Sequence, residues 1–153
     1  MFRGEFHNHL DDKGRVSIPA RFRDQIANQH ELPLVVTQGF DKCLAVYPMD
    51  TWKKIEEKLS SLNTLNEHVR LFQRTILKAS DECELDKQGR VVLSPVLRDA
   101  VGITKSVVVV GMLNRIEIWN KDEYEKYHGQ TAHTLESLAQ KLSDSNLIEG
   151  IPL

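Results

Sequence analysis

The stretch Leu10–Asp24, LDDKGRVSIPARFRD, recurs with few changes as LDKQGRVVLSPVLRD at Leu85–Asp99. The copies share the leading Leu-Asp, the central Gly-Arg-Val and the final Arg-Asp. An internal repeat constrains the architecture early, because each copy has to form the same local structure. The similarity continues downstream, where Gly39 aligns with Gly111. The chain is therefore predicted to contain two copies of one structural unit.

The overall composition is typical of a globular protein. Of 153 residues, 41% are hydrophobic and 27% charged, which is enough apolar content to build a core. The formal net charge of -2 neither favours nor excludes nucleic acid, because a local basic loop can bind phosphate on an acidic body. The two cysteines form no CxxC motif, so reduced thiols are expected. The sequence contains no apolar signal peptide or membrane span, so a cytoplasmic protein is expected.

Each copy predicts the same order of local structures. Phe2–Leu10 alternates weakly between apolar and polar residues and is predicted to be a strand. The DDKG segment after it suits a hairpin tip, in which Gly14, and Gly89 in the second copy, adopts a left-handed conformation. A short strand follows, and a proline then marks the start of a short helix. In the second copy we expect Ser94 to cap this helix and Gly102 to end it.

Further along each copy, the sequence predicts a second hairpin followed by an amphipathic helix. Two apolar stripes at helical spacing indicate a helix between the copies and another near the end of the chain. Both stripes are expected to pack in the core. They consist of Leu65, Val69, Phe72 and Ile76, and of Leu135, Leu138 and Leu142.

One copy alone would leave several strand edges open, so the two are expected to pair about a pseudo-twofold axis. The predicted fold class is α+β, with two pseudo-symmetric hairpin-and-helix units packed into one compact domain. The expected boundaries are 1–62 for the first unit, 63–79 for the linking helix, 80–128 for the second unit, and 129–153 for the C-terminal helix and tail.

The N-terminal MFRG and the two Asp-x-x-x-Arg boxes, Asp11 to Arg15 and Asp86 to Arg90, resemble the MraZ family of bacterial transcriptional regulators. These proteins are tandem relatives of the AbrB-type swapped-hairpin DNA-binding domain. The resemblance implies two AbrB-like units, no catalytic activity and no cofactor. It also implies a ring-shaped homo-oligomer in the cytoplasm, associated with the nucleoid. The expected partner is double-stranded DNA with short direct repeats, in the promoter of the division and cell wall gene cluster. That cluster includes the gene of the regulator itself, so the expected role is autoregulation, usually repression.

The residues of the first box suit contact with DNA. Arg15 offers a planar fork that can pair with guanine or with phosphate, and Lys13 offers a point charge to phosphate. Asp11 is expected to orient the motif by accepting from turn amides or by pairing with Arg15. Arg3, near the start of the neighbouring strand, is expected to add a phosphate contact.

The second box repeats this arrangement. Arg90 is predicted to contact DNA, Asp86 to orient the motif and Gly89 to shape the turn, as Gly14 does in the first copy. Gln88 stands where the first copy has Lys13. The second loop is therefore expected to be less cationic. If only one box of each chain contacts DNA, we expect it to be the first.

Other interpretations of these residues remain open. A D-x-x-G-R turn also closes hairpins that bind nothing, and Arg21 and Arg23 on the short helix are expected to be solvated. Glu5, His7 and His9 share one face of the first strand, but strand histidines near a surface are usually solvated, so no metal site is predicted.

Two other functional classes also remain open. The chain would be an antitoxin-like AbrB relative if it acted mainly on a protein partner, or a purely structural oligomer if assembly were its whole function. The sequence lacks the nucleophile, zinc and phosphate-loop motifs of the common enzyme classes. It therefore predicts no enzyme, cofactor or small-molecule substrate.

Overall fold

A computed structural model of the chain describes residues 1–152. Residues Met1–Lys121 form one compact unit, and the chain from Asp122 onward forms a second. The elements are β1 (Phe2–His9), β2 (Arg15–Ser17), α1 (Ala20–Gln29), β3 (Leu34–Gln38), β4 (Leu44–Pro48), α2 (Met49–Ser60), α3 (Glu67–Leu77), β5 (Asp81–Cys83), β6 (Arg90–Val92), α4 (Pro95–Val101), β7 (Ser106–Leu113), β8 (Ile116–Asn120), α5 (Lys121–His128), a 3-10 turn (Thr131–His133) and α6 (Leu135–Asp144).

The main sheet has six strands in the order β1-β7-β8-β4-β3-β5. The repeat relates β1 to β5, β7 to β3 and β8 to β4. Replacing each strand by its equivalent in the other copy gives the same strand order read from the opposite edge of the sheet. At its centre β4 pairs with β8, and Ala45 lies opposite Glu117, the residue that the repeat aligns with it. The predicted α+β fold with internal pseudo-twofold symmetry is confirmed.

The second sheet is a two-stranded ribbon of β2 and β6, and the pseudo-twofold axis that relates the two copies passes between these strands. Val16 lies opposite Val91, its equivalent in the other copy. At the ends of the ribbon, the amide of Ile18 donates to the carbonyl of Gly89 at 2.9 Å. The amide of Leu93 donates to the carbonyl of Gly14 at 2.8 Å. The ribbon therefore consists of one strand from each copy.

The prediction that the first two strands form a hairpin with each other is wrong. β1 pairs antiparallel with β7 over its whole length, and β2 pairs with β6. Each strand beside the first turn thus finds its partner in the other copy. The physical reason is that β2 has only three residues, and pairing across the axis closes edges in both copies at once. The second predicted hairpins, β3–β4 and β7–β8, are confirmed.

The short helices follow the predicted local rules. The Ser94 hydroxyl accepts from the amide of Leu97 at 3.4 Å, and Gly102 ends α4 with a φ of 70°. α1 begins after Pro19. Both helices bury their predicted apolar pairs, which are Phe22 with Ile26 and Leu97 with Val101.

The expectation that both long apolar stripes pack in the core is wrong. α3 and α6, which the structure describes in full, contain no buried residue. Phe72 on α3 and all three leucines of the α6 stripe are exposed, while Val69 and Ile76 are half-buried. Helical spacing shows that a face is apolar, but it does not show what covers that face. α3 lies within the segment 63–79, and the predicted domain boundaries stay predictions.

Both cysteines are free thiols. Cys43 is buried, and desolvation raises the pKa of its thiol well above the ordinary value. Desolvation also raises the pKa of Cys83 to about 12. Neither thiol is therefore activated for nucleophilic chemistry at neutral pH. Within residues 1–152, no helix has both the length and the apolar character that a membrane crossing requires.

An arginine of each short helix packs against the glycine turn of the other copy. Gly14 and Gly89 have φ values of 75° and 74°, a region that side chains with a Cβ rarely adopt. A Cβ on Gly89 would overlap the guanidinium of Arg23, which donates to the carbonyl of Gln88 at 3.0 Å. A Cβ on Gly14 would lie 3.2 Å from a terminal nitrogen of Arg98. Glycine is therefore favoured at both turns by the backbone conformation, and at Gly89 also because Arg23 occupies the space that a Cβ would take.

We expect Gly14→Ala and Gly89→Ala each to lower the free energy of unfolding by about 1–3 kcal/mol, because alanine is strained at these φ values. Gly89→Ala should cost more, because it also displaces Arg23 from Gln88. Urea denaturation of both variants, with and without Arg23→Ala, measures this difference. An extra cost of Gly89→Ala that persists in the Arg23→Ala background would contradict the arginine contact.

Candidate nucleic-acid interface

The outer face of the β2–β6 ribbon carries two arginines. Val16 and Val91 are fully buried, and side chains alternate along a strand, so their neighbours lie on the opposite face. The Cα atoms of Arg15 and Arg90 are diagonal neighbours across the ribbon, which places them about 7–8 Å apart. The outer face consists of Arg15, Ser17, Arg90 and Val92.

Asp11 organises both the first turn and its arginine. Its Oδ1 accepts from the amides of Lys13 and Arg15, each at 2.9 Å. Its Oδ2 accepts from Nε of Arg15 at 2.6 Å. Among the described residues, the terminal nitrogens of Arg15 have no hydrogen-bond partner. The carboxylate thus fixes the base of the guanidinium and leaves its outer edge available.

The second copy repeats this geometry and is linked to the first. Oδ1 of Asp86 accepts from the amides of Gln88 and Arg90 at 2.9 Å, and Oδ2 accepts from Nε of Arg90, also at 2.9 Å. In addition, Nη1 of Arg90 lies 3.5 Å from Oδ2 of Asp11. Asp11 therefore contacts both arginines, whereas Asp86 contacts Arg90 alone. The side chains of Arg15 and Arg90 are 29% and 25% exposed, so an approaching ligand can reach both.

The turn geometry keeps both carboxylates ionised. The amide of Arg15, followed by its guanidinium and the amide of Lys13, holds the pKa of Asp11 below its ordinary value, although desolvation opposes this. The amide and guanidinium of Arg90 act in the same way on the pKa of Asp86. Both acids therefore remain charged partners of their arginines throughout the neutral range.

The exposed tips of the turns carry further charges. Lys13 is exposed beside Asp12 in the first turn, and Lys87 is exposed beside Gln88 in the second. With the box residues included, the first turn has two acids and two bases, and the second has one acid and two bases. The expectation that the second loop is less cationic is wrong, because it overlooked Lys87 at the position of Asp12.

Arg23 and Arg98 were missed as parts of this site. The helix arginine Arg23 was expected to be solvated, but it is half-buried and holds the carbonyl of Gln88. Its counterpart Arg98 donates through Nε to the carbonyl of Leu93 at 3.0 Å. Both follow their box arginine by eight residues, so the repeat alignment could have revealed them. They stabilise the turns that present Arg15 and Arg90.

Arg3 lies apart from the other predicted contacts. It is exposed near the start of β1, opposite Met112 on β7. The six residue steps from Arg3 to His9 span about 20 Å of extended strand. The structure therefore brings Arg15, Lys13 and Arg90 together but leaves Arg3 at the other end of β1. Its contact with DNA stays a prediction, and it would touch a different part of the duplex.

The acid and histidines of β1 do not gather into a metal centre. Glu5 contacts His7 at 2.9 Å, and His9 lies 3.3 Å from the hydroxyl of Ser106. Among the described residues there is no group of three or more histidines, cysteines or acids placed to hold a metal ion.

Comparison with known proteins matches the two-copy organisation. The family model described as "MraZ protein, putative antitoxin-like" matches residues 1–75 and again residues 76–146. A protein of Moorella thermoacetica named transcriptional regulator MraZ is 44% identical over 147 residues, which cover 96% of this chain and 100% of that protein.

Two other proteins of the same name show similar agreement. Those of Natranaerobius thermophilus and Pediococcus pentosaceus are each 42% identical over 147 residues, again covering 96% of this chain and 100% of the relative. The family model covers both copies of the repeat, and the relatives align over their whole length. The chain therefore belongs to the MraZ family.

Proposed function

We propose that this protein is a transcriptional regulator that binds double-stranded promoter DNA through the outer face of the β2–β6 ribbon. The observation that carries the proposal is the convergence of Arg15 and Arg90, each braced by an aspartate, on one accessible face. The relatives are named transcriptional regulators, which supports DNA as the partner and agrees with the prediction that the chain is not an enzyme.

The dimensions of the ribbon suit the major groove, which admits a two-stranded β-ribbon. Arg15 donates its two terminal nitrogens to O6 and N7 of a guanine, the commonest specific contact in that groove. The arginines are about 7–8 Å apart at Cα, and bases rise about 3.4 Å per step, so Arg90 reaches a base about two steps away. Lys13 and Lys87 at the turn tips contact phosphates on either side.

Asp11 and Asp86 act as positioning residues in this proposal. Each holds its arginine at Nε, so both guanidinium groups are oriented before DNA arrives. The terminal nitrogens of Arg15 stay available, while Nη1 of Arg90 also lies 3.5 Å from Oδ2 of Asp11. A flexible arginine would lose rotamer freedom on binding, and this pre-organisation removes part of that cost. Specificity then depends on the carboxylates although they do not touch the bases.

One ribbon offers few cations, so a single subunit binds weakly. In our proposal, a ring-shaped homo-oligomer presents several ribbons to short direct repeats in the promoter of the division and cell wall gene cluster, and represses its own gene there. Once one ribbon of the assembly has bound DNA, binding of the next ribbon is intramolecular. The overall affinity therefore rises although each ribbon makes the same contacts. The family resemblance supports this target, with the protein at the nucleoid.

Fluorescence anisotropy with the DNA upstream of the gene tests the proposal. Sequence-preferring binding that weakens steeply between two salt concentrations is the expected result, because binding releases counterions. Binding that is equal for scrambled DNA would overturn sequence recognition. Absence of DNA binding would favour the antitoxin-like or purely structural alternative.

We expect Arg15→Ala to weaken operator binding about 5- to 140-fold, because a bidentate arginine–guanine pair is worth about 1–3 kcal/mol. Arg21→Ala is the matched control, since Arg21 is exposed on α1 and lies outside the ribbon. Anisotropy measures affinity, and light scattering checks that the oligomer persists. Equal affinity of the Arg15→Ala and Arg21→Ala proteins would remove Arg15 from the interface.

Asp11→Asn should weaken operator binding, measured by the same anisotropy assay, because the amide is a poorer acceptor for Arg15.

Asp11→Asn should also alter the stability of the fold in acid. The folded pKa of Asp11 lies below its unfolded value of about 3.9, so its contribution is present above that pH and is lost as the pH falls through the folded pKa. Urea unfolding from pH 5 to pH 2 should show a shallower loss in Asp11→Asn than in the wild type. Identical slopes would show that this carboxylate does not stabilise the fold.

Inserting half a helical turn, about 5 base pairs, between adjacent operator repeats should weaken binding at least tenfold. The ribbons of one assembly then face opposite sides of the duplex, because one turn takes about 10–10.5 base pairs. An insertion of a full turn is the control and should restore most of the affinity. If both inserted operators bind as tightly as the original, the repeats are not bound by one assembly.

A further inference from the structure

One pair of positions breaks the pseudo-symmetry of the outer face of the β2–β6 ribbon. The repeat aligns Arg15 with Arg90, but it aligns Ser17 with Val92. Arg15 lies directly opposite Val92, and Ser17 lies directly opposite Arg90. One arginine of this face therefore has an apolar neighbour across the ribbon, whereas the other has a hydroxyl group.

Val92 is an exposed apolar side chain next to both arginines. It lies across the ribbon from Arg15 and two residues after Arg90 on the same strand, so all three share the outer face. Val92 is 57% exposed and lies outside the hydrophobic core, whereas the preceding Val91 is fully buried. The proposed DNA-binding face thus carries one apolar group among its charges.

The geometry of Arg15 brings bases close to this apolar group. Nε of Arg15 donates to Oδ2 of Asp11 at 2.6 Å, and the arginine side chain is only 29% exposed, so the guanidinium stays near the ribbon surface. The Cβ atoms of directly opposite residues lie about 4.5–5.5 Å apart. A base beside the one that meets Arg15 therefore comes within reach of the methyl groups of Val92.

We propose that Val92 is a specificity-determining residue, which contacts the C5 methyl group of a thymine beside the guanine bound by Arg15. In the major groove thymine is the base that presents a methyl group, and apolar side chains are its partners. The equivalent Ser17 offers a hydroxyl, which hydrogen-bonds to more than one base and selects less. The inference deepens the proposed function and rests on it, because it needs DNA on the outer face of the ribbon.

The surface beside Val92 also differs in charge from the surface beside Ser17. Val92 borders a shallow depression that contains three exposed acids, Asp81, Glu82 and Glu84. The repeat places no acid at the three equivalent positions, which are Phe6, His7 and His9. These flank Asn8, whose side-chain amide donates to the carbonyl of Ser17 at 3.0 Å. Phosphates are therefore repelled more strongly beside Val92 than beside Ser17.

Both differences give the ribbon a direction. A ribbon with exact twofold symmetry matches a palindromic site and binds it equally in either orientation. With Val92 in one copy only, turning the site around moves the thymine from Val92 to Ser17 and brings other phosphates toward the acids. The ribbon therefore favours one orientation of its site, which is what direct repeats in the proposed operator require.

A comparison of thymine with uracil tests the methyl contact, because the two bases differ only by the C5 methyl group. The full-length protein is titrated with the DNA upstream of the gene. Each base pair of the repeats is replaced in turn by a T·A pair in either orientation, and then by the same pair with uracil. Anisotropy gives both affinities, and their ratio at each position measures a methyl contact there.

We expect the wild type to bind thymine about three- to fivefold more tightly than uracil at one position of each repeat. This is the effect of burying about one methyl group. Val92→Ser should abolish the ratio, and light scattering should show an unchanged oligomer. Val96→Ser is the matched control and should keep the ratio, because Val96 is 67% exposed on α4, outside the ribbon.

Ser17→Val tests the same contact by adding a methyl-bearing side chain, and it also serves if Val92→Ser fails to fold. Valine suits a strand, so this variant keeps the ribbon. It should create a second methyl-sensitive position on the opposite DNA strand, because the pseudo-twofold axis relates Ser17 to Val92. A purely structural role of Val92 would produce no such position.

The remaining outcomes separate this inference from the proposed function. Sequence-preferring binding in which no position distinguishes thymine from uracil overturns the role of Val92 and leaves the regulator standing. A wild-type ratio in Val92→Ser, or no second position in Ser17→Val, has the same meaning. Absence of operator binding by the wild type overturns both.

Discussion

The antiparallel pairing of β2 with β6 holds the two copies together at the point where both arginine boxes meet. Val16 packs against Val91 on the axis, and each flanking glycine carbonyl accepts an amide from the other copy. The two turns therefore have a fixed spacing and orientation. Without this pairing, two separate Asp-x-x-x-Arg turns would present their guanidinium groups independently, and the two arginines would share no common face.

The ribbon and its turns carry four basic residues against three acids, although the whole chain is slightly acidic. Asp11 and Asp86 reduce the local positive charge. They also restrict the orientation of the two guanidinium groups, which makes any contact through them more selective. A loop with more positive charge and no acid would attract DNA with less discrimination. In the proposed function, this arrangement favours specificity over raw attraction, and several subunits bound together supply the affinity.

Much of the architecture follows from contacts between residues close in the chain. An aspartate four residues before an arginine, with a glycine between them, specifies the turn, its hydrogen bonds and the ion pair within five residues. Ser94 and Gly102 define α4 in the same local way. The β3–β4 and β7–β8 hairpins also need only neighbouring strands. These features, and the duplication itself, were predictable from the amino-acid sequence.

Local contacts did not predict which strand each strand would pair with, because equivalent strands occur in both copies. β1 could have paired with β2, but the whole chain closes more strand edges when β1 joins β7 and β2 joins β6. That exchange brings Arg23 against Gly89 and leaves Arg3 far from the boxes, and neither follows from spacing. The sequence by itself determined the repeat, the turns and the arginine–aspartate pairs, because their contacts are local. Only the tertiary structure decided which strands pair and which apolar helix faces stay exposed, because both depend on how all the elements share one core.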